Sequence, residues 1–372
     1  MQRLRAVRPG LPAPGDGSPP AQAARLRMTL PIAVALSGGI DSLVAAFLLK
    51  EQGHEVHGVH FRTGYEEPQR TCAADSPAPA KGPDAARALR DLARRLGIRL
   101  QVVDLSREFR QEVVDYFTRT YLGGETPNPC MVCNPRIKFG ALLEWAEKVG
   151  CRAIATGHYA RVLRDESGRS RLFKGADPEK DQSYFLARLD QHQLERAVFP
   201  LGGWTKTQVR ALAAEHGIAP VAVEESQDVC FVRTGGYAEF IGREPSPPGL
   251  IEDMRGVVIG EHRGLHRFTV GQRRGINRPA ANPYYVVRLD RERNRLVVGT
   301  KADLLASACR VVAINWIAPL PGGPVRLATR VRYRTREAPS TVNPIDSSSA
   351  VVRFDAPQSA VTPGQAAVFY DG

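Results

Sequence analysis

The 372-residue chain has no apolar run approaching the ~18 residues that a membrane-spanning helix needs. It also lacks a charged stretch followed by a long apolar core, so no secretory signal is legible. These absences set the expectations of a protein that does not enter a membrane and that works in the cytoplasm. Cysteine is sparse: Cys72, Cys130, Cys133, Cys151, Cys230 and Cys309 are too few in so long a chain for a disulfide scaffold. In a reducing compartment they are thiols, metal ligands or catalysts. The GxxxxGK[ST] phosphate loop is missing, and no internal repeat is evident. Acidic residues are outnumbered, 39 Asp+Glu against 51 Lys+Arg. That balance suits a polyanionic partner such as nucleic acid, or else a solvated Arg-rich surface.

Single hydrophobic cores rarely grow much beyond roughly 250 residues, so two or three domains are expected. Residues 1–27 are rich in Pro, Gly, Ala and Arg, with Asp16 the only acid. They read as a disordered extension, or as upstream of the true start at Met28. Residues 28–235 read as one catalytic domain, in which apolar strands alternate with helices from 32 to about 160: strands at 32–36, 55–61, 99–103 and 151–155, helices at 84–96 and 109–121. Such alternation predicts an α/β, doubly wound parallel sheet, whose ligands sit beyond the carboxyl ends of the strands. A polar, Pro-rich loop at 63–83 and helices at 186–194 and 206–216 complete that region. Beyond it, short β-rich runs between Gly, Pro and charged turns predict two small barrel-like domains, 236–303 and 304–372. The runs fall at 257–259, 267–270, 284–289, 295–298, 311–316, 325–333, 350–354 and 366–370.

Three stretches carry chemistry. Ala35-Leu36-Ser37-Gly38-Gly39-Ile40-Asp41-Ser42 follows a buried strand and opens a helix, where the glycines let backbone approach a ligand and the helix N-terminus favours an anion. Ser37 and Ser42 can donate to phosphate oxygens, and Asp41 can hold Mg²⁺. The spacing resembles that of pyrophosphate-loop enzymes, which split ATP to AMP and pyrophosphate while adenylating a substrate oxygen. The plain alternative is a strand–turn–helix with a serine cap. Thr126-Pro127-Asn128-Pro129-Cys130-Met131-Val132-Cys133-Asn134 holds a CxxC beside Arg136 and Lys138. Near a helix N-terminus such thiols are expected to have depressed pKa values, though spacing alone leaves redox pair, metal half-site and coincidence open. Cys230, in Ser226-Gln227-Asp228-Val229-Cys230-Phe231, is a core thiol or a second member of a sulfur-handling pair, with Asp228 as acid/base or turn cap.

The remaining stretches point to nucleic acid. Thr156-Gly157-His158-Tyr159 sits at a strand end, with Gly157 near the nucleotide and His158 facing the site or merely structural. Lys180-Asp181-Gln182-Ser183-Tyr184-Phe185-Leu186 mixes cation, amide and aromatic groups suited to phosphate and an unstacked base. Its alternative is a charged helix start capped by Asp181. Gly271–Gly275 and the 330–336 run place basic residues on hairpins. If the second run stays extended, Arg330, Arg332, Arg334 and Arg336 share one face, opposite Val331 and Tyr333.

In their order and spacing these segments, with Phe199-Pro200-Leu201-Gly202 and Pro363-Gly364-Gln365-Ala366-Ala367-Val368-Phe369-Tyr370, resemble the bacterial or organellar-type tRNA-specific 2-thiouridylases. The resemblance covers residues 31 to 370. It implies an adenine nucleotide alpha hydrolase-like catalytic domain that adenylates the C2 oxygen of the wobble uridine (position 34), with ATP and Mg²⁺. Cys230 matches the family cysteine that carries a persulfide, and Cys133 the nucleophile that then joins it in a transient disulfide. Residues 35–42, Phe61 and Gly157 fall at nucleotide-contacting positions; Asn128, Pro129 and Cys130 hold the target base. His158, Lys180, Asp181, Gln182, Arg332, Tyr333 and Gln365 fall at tRNA contacts. The implied partners are the wobble-uridine tRNAs for Lys, Glu and Gln, and a sulfur-relay protein or cysteine desulfurase.

Three positions depart from the pattern. Cys130 stands where many members have Asp, Phe61 replaces the more usual Met, and the stretch after Phe61 lacks the usual polar-aromatic sequence. Cys130, Cys133 and Cys230 therefore also admit an iron–sulfur cluster with an open iron. Other readings are a different pyrophosphate-loop synthetase and a non-catalytic RNA-binding module, which ATP/pyrophosphate exchange separates from an adenylating enzyme.

Overall fold

A computed structural model of the chain describes residues 31–66, 83–220, 229–232, 237–241, 247–279 and 282–372. The expectations for 1–27, most of the 63–83 loop, Cys72 and Asp228 lie outside the described residues. The chain begins with β1 (Ile32–Ala35), α1 (Ile40–Glu51), β2 (Val56–Arg62), α2 (Pro83–Arg95) and β3 (Arg99–Asp104). A helical stretch follows as α3 (Ser106–Phe109), a wide π-type segment (Arg110–Val114) and α4 (Asp115–Leu122). Next come α5 (Cys130–Cys133), a second π-type segment (Asn134–Ala141), α6 (Leu142–Lys148) and β4 (Ala153–Ala155). The hairpin β5 (Ala160–Arg164) and β6 (Ser170–Lys174) leads to α7 (Ser183–Leu186), α8 (Gln191–Arg196), β7 (Ala197–Val198) and α9 (Lys206–Glu215).

The first sheet has the order β3-β2-β1-β4-β7 and is parallel throughout. All four residues of β1 are buried, as a central strand covered on both faces requires. Chain direction across the sheet reverses between β1 and β4, so the loops after these two strands open the crevice where doubly wound sheets bind ligands.

A short helix, α10 (Tyr237–Ile241), precedes a four-stranded sheet of order β10-β11-β8-β9. Its strands are β8 (Gly249–Glu252), β9 (Val258–His262), β10 (Tyr285–Asp290) and β11 (Arg295–Gly299). The last sheet, order β12-β15-β14-β13-β16, is antiparallel: β12 (Leu305–Val311), β13 (Val325–Arg330), β14 (Ala338–Pro344), β15 (Ala350–Ser359) and β16 (Val368–Tyr370). Among the described residues no helix is long and apolar enough to cross a membrane.

Four expected elements are corrected. The 186–194 helix is two helices, because Asp190 caps α8 in a reciprocal box with Gln193. The 267–270 strand is a 3₁₀ turn, Leu265–Arg267, and a bend in which the Gln272 side chain accepts from the Thr269 N–H. The 311–316 strand stops at Val311; Ala313 turns at φ 54°, and the Asn315 amide then donates to the carbonyls of Ala187 and Leu189 in the first domain. The extended 330–336 run ends at Arg330. Pairing with β14 closes at Thr329 and Ala338, so the residues between them form the hairpin turn.

Candidate active site

The loop after β1 is built from its own hydroxyls. Ser42 Oγ donates to the Gly39 carbonyl at 2.8 Å and accepts from the Ser37 N–H at 3.2 Å. Gly38 turns the chain at φ 84°. Gly39 is the N-cap of α1 and gives it no side-chain cap, so the helix start keeps N–H groups that suit an anion. Gly157 lies against this loop from the end of β4. A Cβ there would meet the Asp41 carbonyl carbon and the Ser42 nitrogen at 2.8 Å, a distance only glycine permits. Phe61 is half-buried at the end of β2, packed on the core beside the same crevice.

Asp41 is not open to solvent alone. Its carboxylate accepts from Lys206 Nζ at 2.8 Å on each oxygen and from the Tyr159 hydroxyl at 2.8 Å. Neither partner was assigned a role in the sequence reading. A signal existed: Lys206 follows the capping Thr205 and sits in the first turn of α9, where a cation opposes the helix dipole.

The second half of the crevice is the thiol loop. The carbonyls of Asn128 and Pro129 accept the N–H groups of Met131, Val132 and Cys133, starting α5 directly after the buried Pro127 and Pro129. Asn134 donates to the Phe185 carbonyl at 2.9 Å, and the Gln193 amide to those of Pro135 and Phe139. Cys230 is exposed in a turn, while Phe231 beside it is buried among Phe109, Phe117 and Phe240 at ring separations of 5.1–5.6 Å. Removing such a ring costs about 3–5 kcal/mol, so Phe231 pins the turn that carries Cys230.

Cys130, Cys133, Cys230 and Lys138 lie within electrostatic reach of one another. The expected depression of the CxxC thiols is overturned. Cys130 and Cys230 keep exposed surface, yet the protein crowded around the three thiols desolvates them and raises all three, Cys133 to about 12, against the opposing pull of the Lys138 ammonium. A helix start of four residues is too small a dipole to offset that desolvation. Lys138 Nζ reaches His158 Nε2 at 3.3 Å, and His158 Nδ1 meets Thr156 Oγ1 at 2.6 Å. Since an ammonium only donates, Nε2 accepts and the proton sits on Nδ1. Burial and the facing ammonium hold the His158 pKa well below its ordinary value. His158 is thus a neutral link between the ATP-loop side and the thiols. Among the described residues no three His, Cys, Asp or Glu side chains gather as metal ligands.

The candidate tRNA residues collect at the seam with the last domain. Asp181 accepts from the N–H groups of Gly175 and Ser183 and from the Ser183 hydroxyl, with Arg330 at 3.7 Å. Gln182 accepts from the Tyr159 N–H and donates its own to the Tyr159 carbonyl. Lys180 stands immediately before them. The Tyr333 ring packs on Phe185 at 4.2 Å, and Arg330 lies over Tyr333 at 5.2 Å. Arg332 turns inward to the Val270 carbonyl and the Thr362 hydroxyl, so the arginines of 330–336 do not share one face. Gln365 donates to the carbonyls of Thr126 and Pro127.

Three family models cover the chain: a tRNA methyl transferase HUP domain over 30–234, a tRNA methyl transferase PRC-barrel domain over 239–300, and an aminomethyltransferase β-barrel domain over 306–372. Among curated relatives, the tRNA-specific 2-thiouridylase MnmA of Desulfosudis oleivorans is 52% identical over 92% of this chain and 92% of its own length. The enzymes of the same name from Syntrophotalea carbinolica and Moorella thermoacetica are 46% and 45% identical, each over 91% of this chain and 95% and 96% of their own. Among solved structures, the U34-tRNA thiolase NcsA of Methanococcus maripaludis with its [4Fe-4S] cluster is 19% identical. It covers 55% of this chain and 62% of its own at a TM-score of 0.33, too loose a likeness to weigh.

Proposed function

The chain belongs to the tRNA-specific 2-thiouridylase family, and we propose that its loop after β1, its thiols and its last domain divide the 2-thiolation of a tRNA uridine among them. It is a tRNA sulfurtransferase that uses ATP. The observation that carries the proposal is that Lys138 acts on three thiols and reaches His158, whose neighbour Gly157 packs on the Asp41 loop.

Residues 28–235 form the catalytic domain, with 236–303 and 304–372 as the two β-rich domains. Residues 35–42, Phe61 and Gly157 hold ATP; Asp41 would hold the Mg²⁺ that accompanies the nucleotide, and the ion would neutralise charge on the departing pyrophosphate. The C2 oxygen of the wobble uridine attacks the α-phosphorus, and that oxygen then departs with AMP. The target base leaves the anticodon stack and rests on Asn128, Pro129 and Cys130. Lys180, Asp181, Gln182, Arg332, Tyr333 and Gln365 shape the tRNA seam, and His158 acts on the same site through Lys138.

Cys230, on the exposed turn, carries the persulfide. The Cys133 thiolate attacks the Cys230 sulfur and releases hydrosulfide, forming the Cys133–Cys230 disulfide. Hydrosulfide attacks C2, AMP leaves with the oxygen, and the remaining proton passes to solvent. Two electrons from the thiol pair thus reduce the sulfane sulfur, and an external thiol reductant resets the pair. The donor is a persulfide-bearing sulfur-relay protein or cysteine desulfurase, the substrates are the wobble-uridine tRNAs for Lys, Glu and Gln, and the compartment is the cytoplasm.

The test is wobble 2-thiouridine formation with ATP and a persulfide donor. Cys133→Ala and Cys230→Ala should lose activity, whereas Cys72→Ala and Cys309→Ala should keep it. Activity surviving in Cys230→Ala, or lost in Cys309→Ala, would overturn the assignment. Iron-free protein should be fully active.

A further inference from the structure

Lys206 reaches the loop after β1 from a remote helix, α9, and meets the Asp41 carboxylate there. Its side chain is 7% exposed and grips both oxygens of Asp41, which is itself 32% exposed. Its backbone N–H donates to Asp177 at 2.8 Å, and the capping box of Thr205 and Gln208 fixes the first turn of α9. The two Asp41 bonds thus hold the ammonium, while the Asp177 bond and the capping box hold the backbone that carries it. A buried lysine in a first helical turn opposes the dipole and loses hydration. Local stability does not explain it, but the charge of its partner does.

The loop offers a triphosphate an uncapped helix start and the Ser37 and Ser42 hydroxyls. Asp41 places a negative charge in that same first turn. An uncompensated carboxylate there repels the anion the loop is shaped to take. Lys206 cancels the charge and, with Tyr159, fixes the carboxylate's orientation.

We propose that Lys206 is a positioning residue of the ATP site, neutralising and orienting Asp41 so that the loop accepts a triphosphate. This rests on the ATP-using reading above and extends it to a residue that the reading leaves unassigned.

The experiment measures binding of ATP to the full chain by titration calorimetry, in EDTA and in Mg²⁺. Lys206→Met should weaken metal-free ATP by about tenfold or more. Mg²⁺ should narrow that gap, because a divalent cation restores positive charge at Asp41. Lys206→Arg should stay within about threefold of wild type, and Asp41→Asn/Lys206→Met, which removes both charges, should regain metal-free binding. Wild-type affinity in Lys206→Met, or an equal loss with and without Mg²⁺ that the double variant does not rescue, overturns the proposal in favour of a purely structural ion pair. A wild-type chain that binds no ATP overturns the functional reading and this inference together. One that binds ATP without thiolating tRNA overturns the functional reading alone.

Discussion

At Cys133 burial and charge pull the thiol in opposite directions. Desolvation dominates and lifts its pKa to about 12, while Lys138 works against it. The thiolate is the nucleophile, and below the pKa each unit of pH removes roughly a factor of ten of it. Reaction of Cys133 with iodoacetamide should therefore rise steadily from pH 7 to 10 with no plateau. Lys138→Met removes the opposing cation, pushes the pKa further up, and should slow modification about three- to tenfold at pH 8. Lys138→Arg should restore the rate. Peptide mass spectrometry of Cys133 after timed alkylation reads all three, and an unchanged rate in Lys138→Met would show that the cation does not act on this thiol. The CxxC and the lysine five residues on were legible in the sequence. The direction of the shift was not, because it depends on packing by residues distant in sequence, as where Met131 is buried with Tyr184 and Val368.

The nucleotide loop is positioned by one element leaning on another. Gly157, two residues past β4, lies so close to α1 that an alanine Cβ would stand 2.8 Å from the Asp41 and Ser42 backbone. Since β4 is locked in the central sheet by pairing with β1 and β7, the loop after β1 must yield. Gly157→Ala should therefore weaken ATP binding by about tenfold or more while leaving the far-ultraviolet circular dichroism unchanged. Wild-type affinity in this variant would mean that the crevice is softer than its contacts imply.

The strand–loop–helix around Asp41 was readable because buried period, glycines and helix start all act locally. The strand–helix alternation to Ala155 was readable for the same reason. The 330–336 run misled because β propensity and alternation are local too. What turns it is distant: Arg332 finds its partners at Val270 and Thr362, and the β13–β14 register ends at Thr329. Lys206 escaped notice likewise, since its carboxylate lies 165 positions away.

Across the whole molecule, the last domain braces the stem of the loop on which the proposed sulfur chemistry rests. The Thr126 N–H donates to the Pro363 carbonyl at 2.9 Å, and the Gln365 amide donates to the carbonyls of Thr126 and Pro127 at 2.9 and 3.1 Å. Gly364 permits this approach, because a Cβ there would stand 2.9 Å from Thr126. These bonds hold the stem of the loop that carries Asn128 to Cys133, while the ATP loop lies across the crevice and makes no such contact with the last domain among the described residues. The two half-sites should therefore separate on mutation. Gln365→Ala removes two hydrogen bonds, each worth about 1 kcal/mol. The thiol loop then loses its register toward the target base, whereas the Asp41 loop keeps every contact described. ATP affinity should stay within about twofold of wild type, and single-turnover 2-thiouridine formation should fall about tenfold. Gln365→Glu should fall further, because its carboxylate cannot donate to either carbonyl. Equal losses in ATP binding and in thiolation would show instead that the last domain braces the catalytic domain as a whole, and that its contact with the thiol loop has no separate part in sulfur transfer.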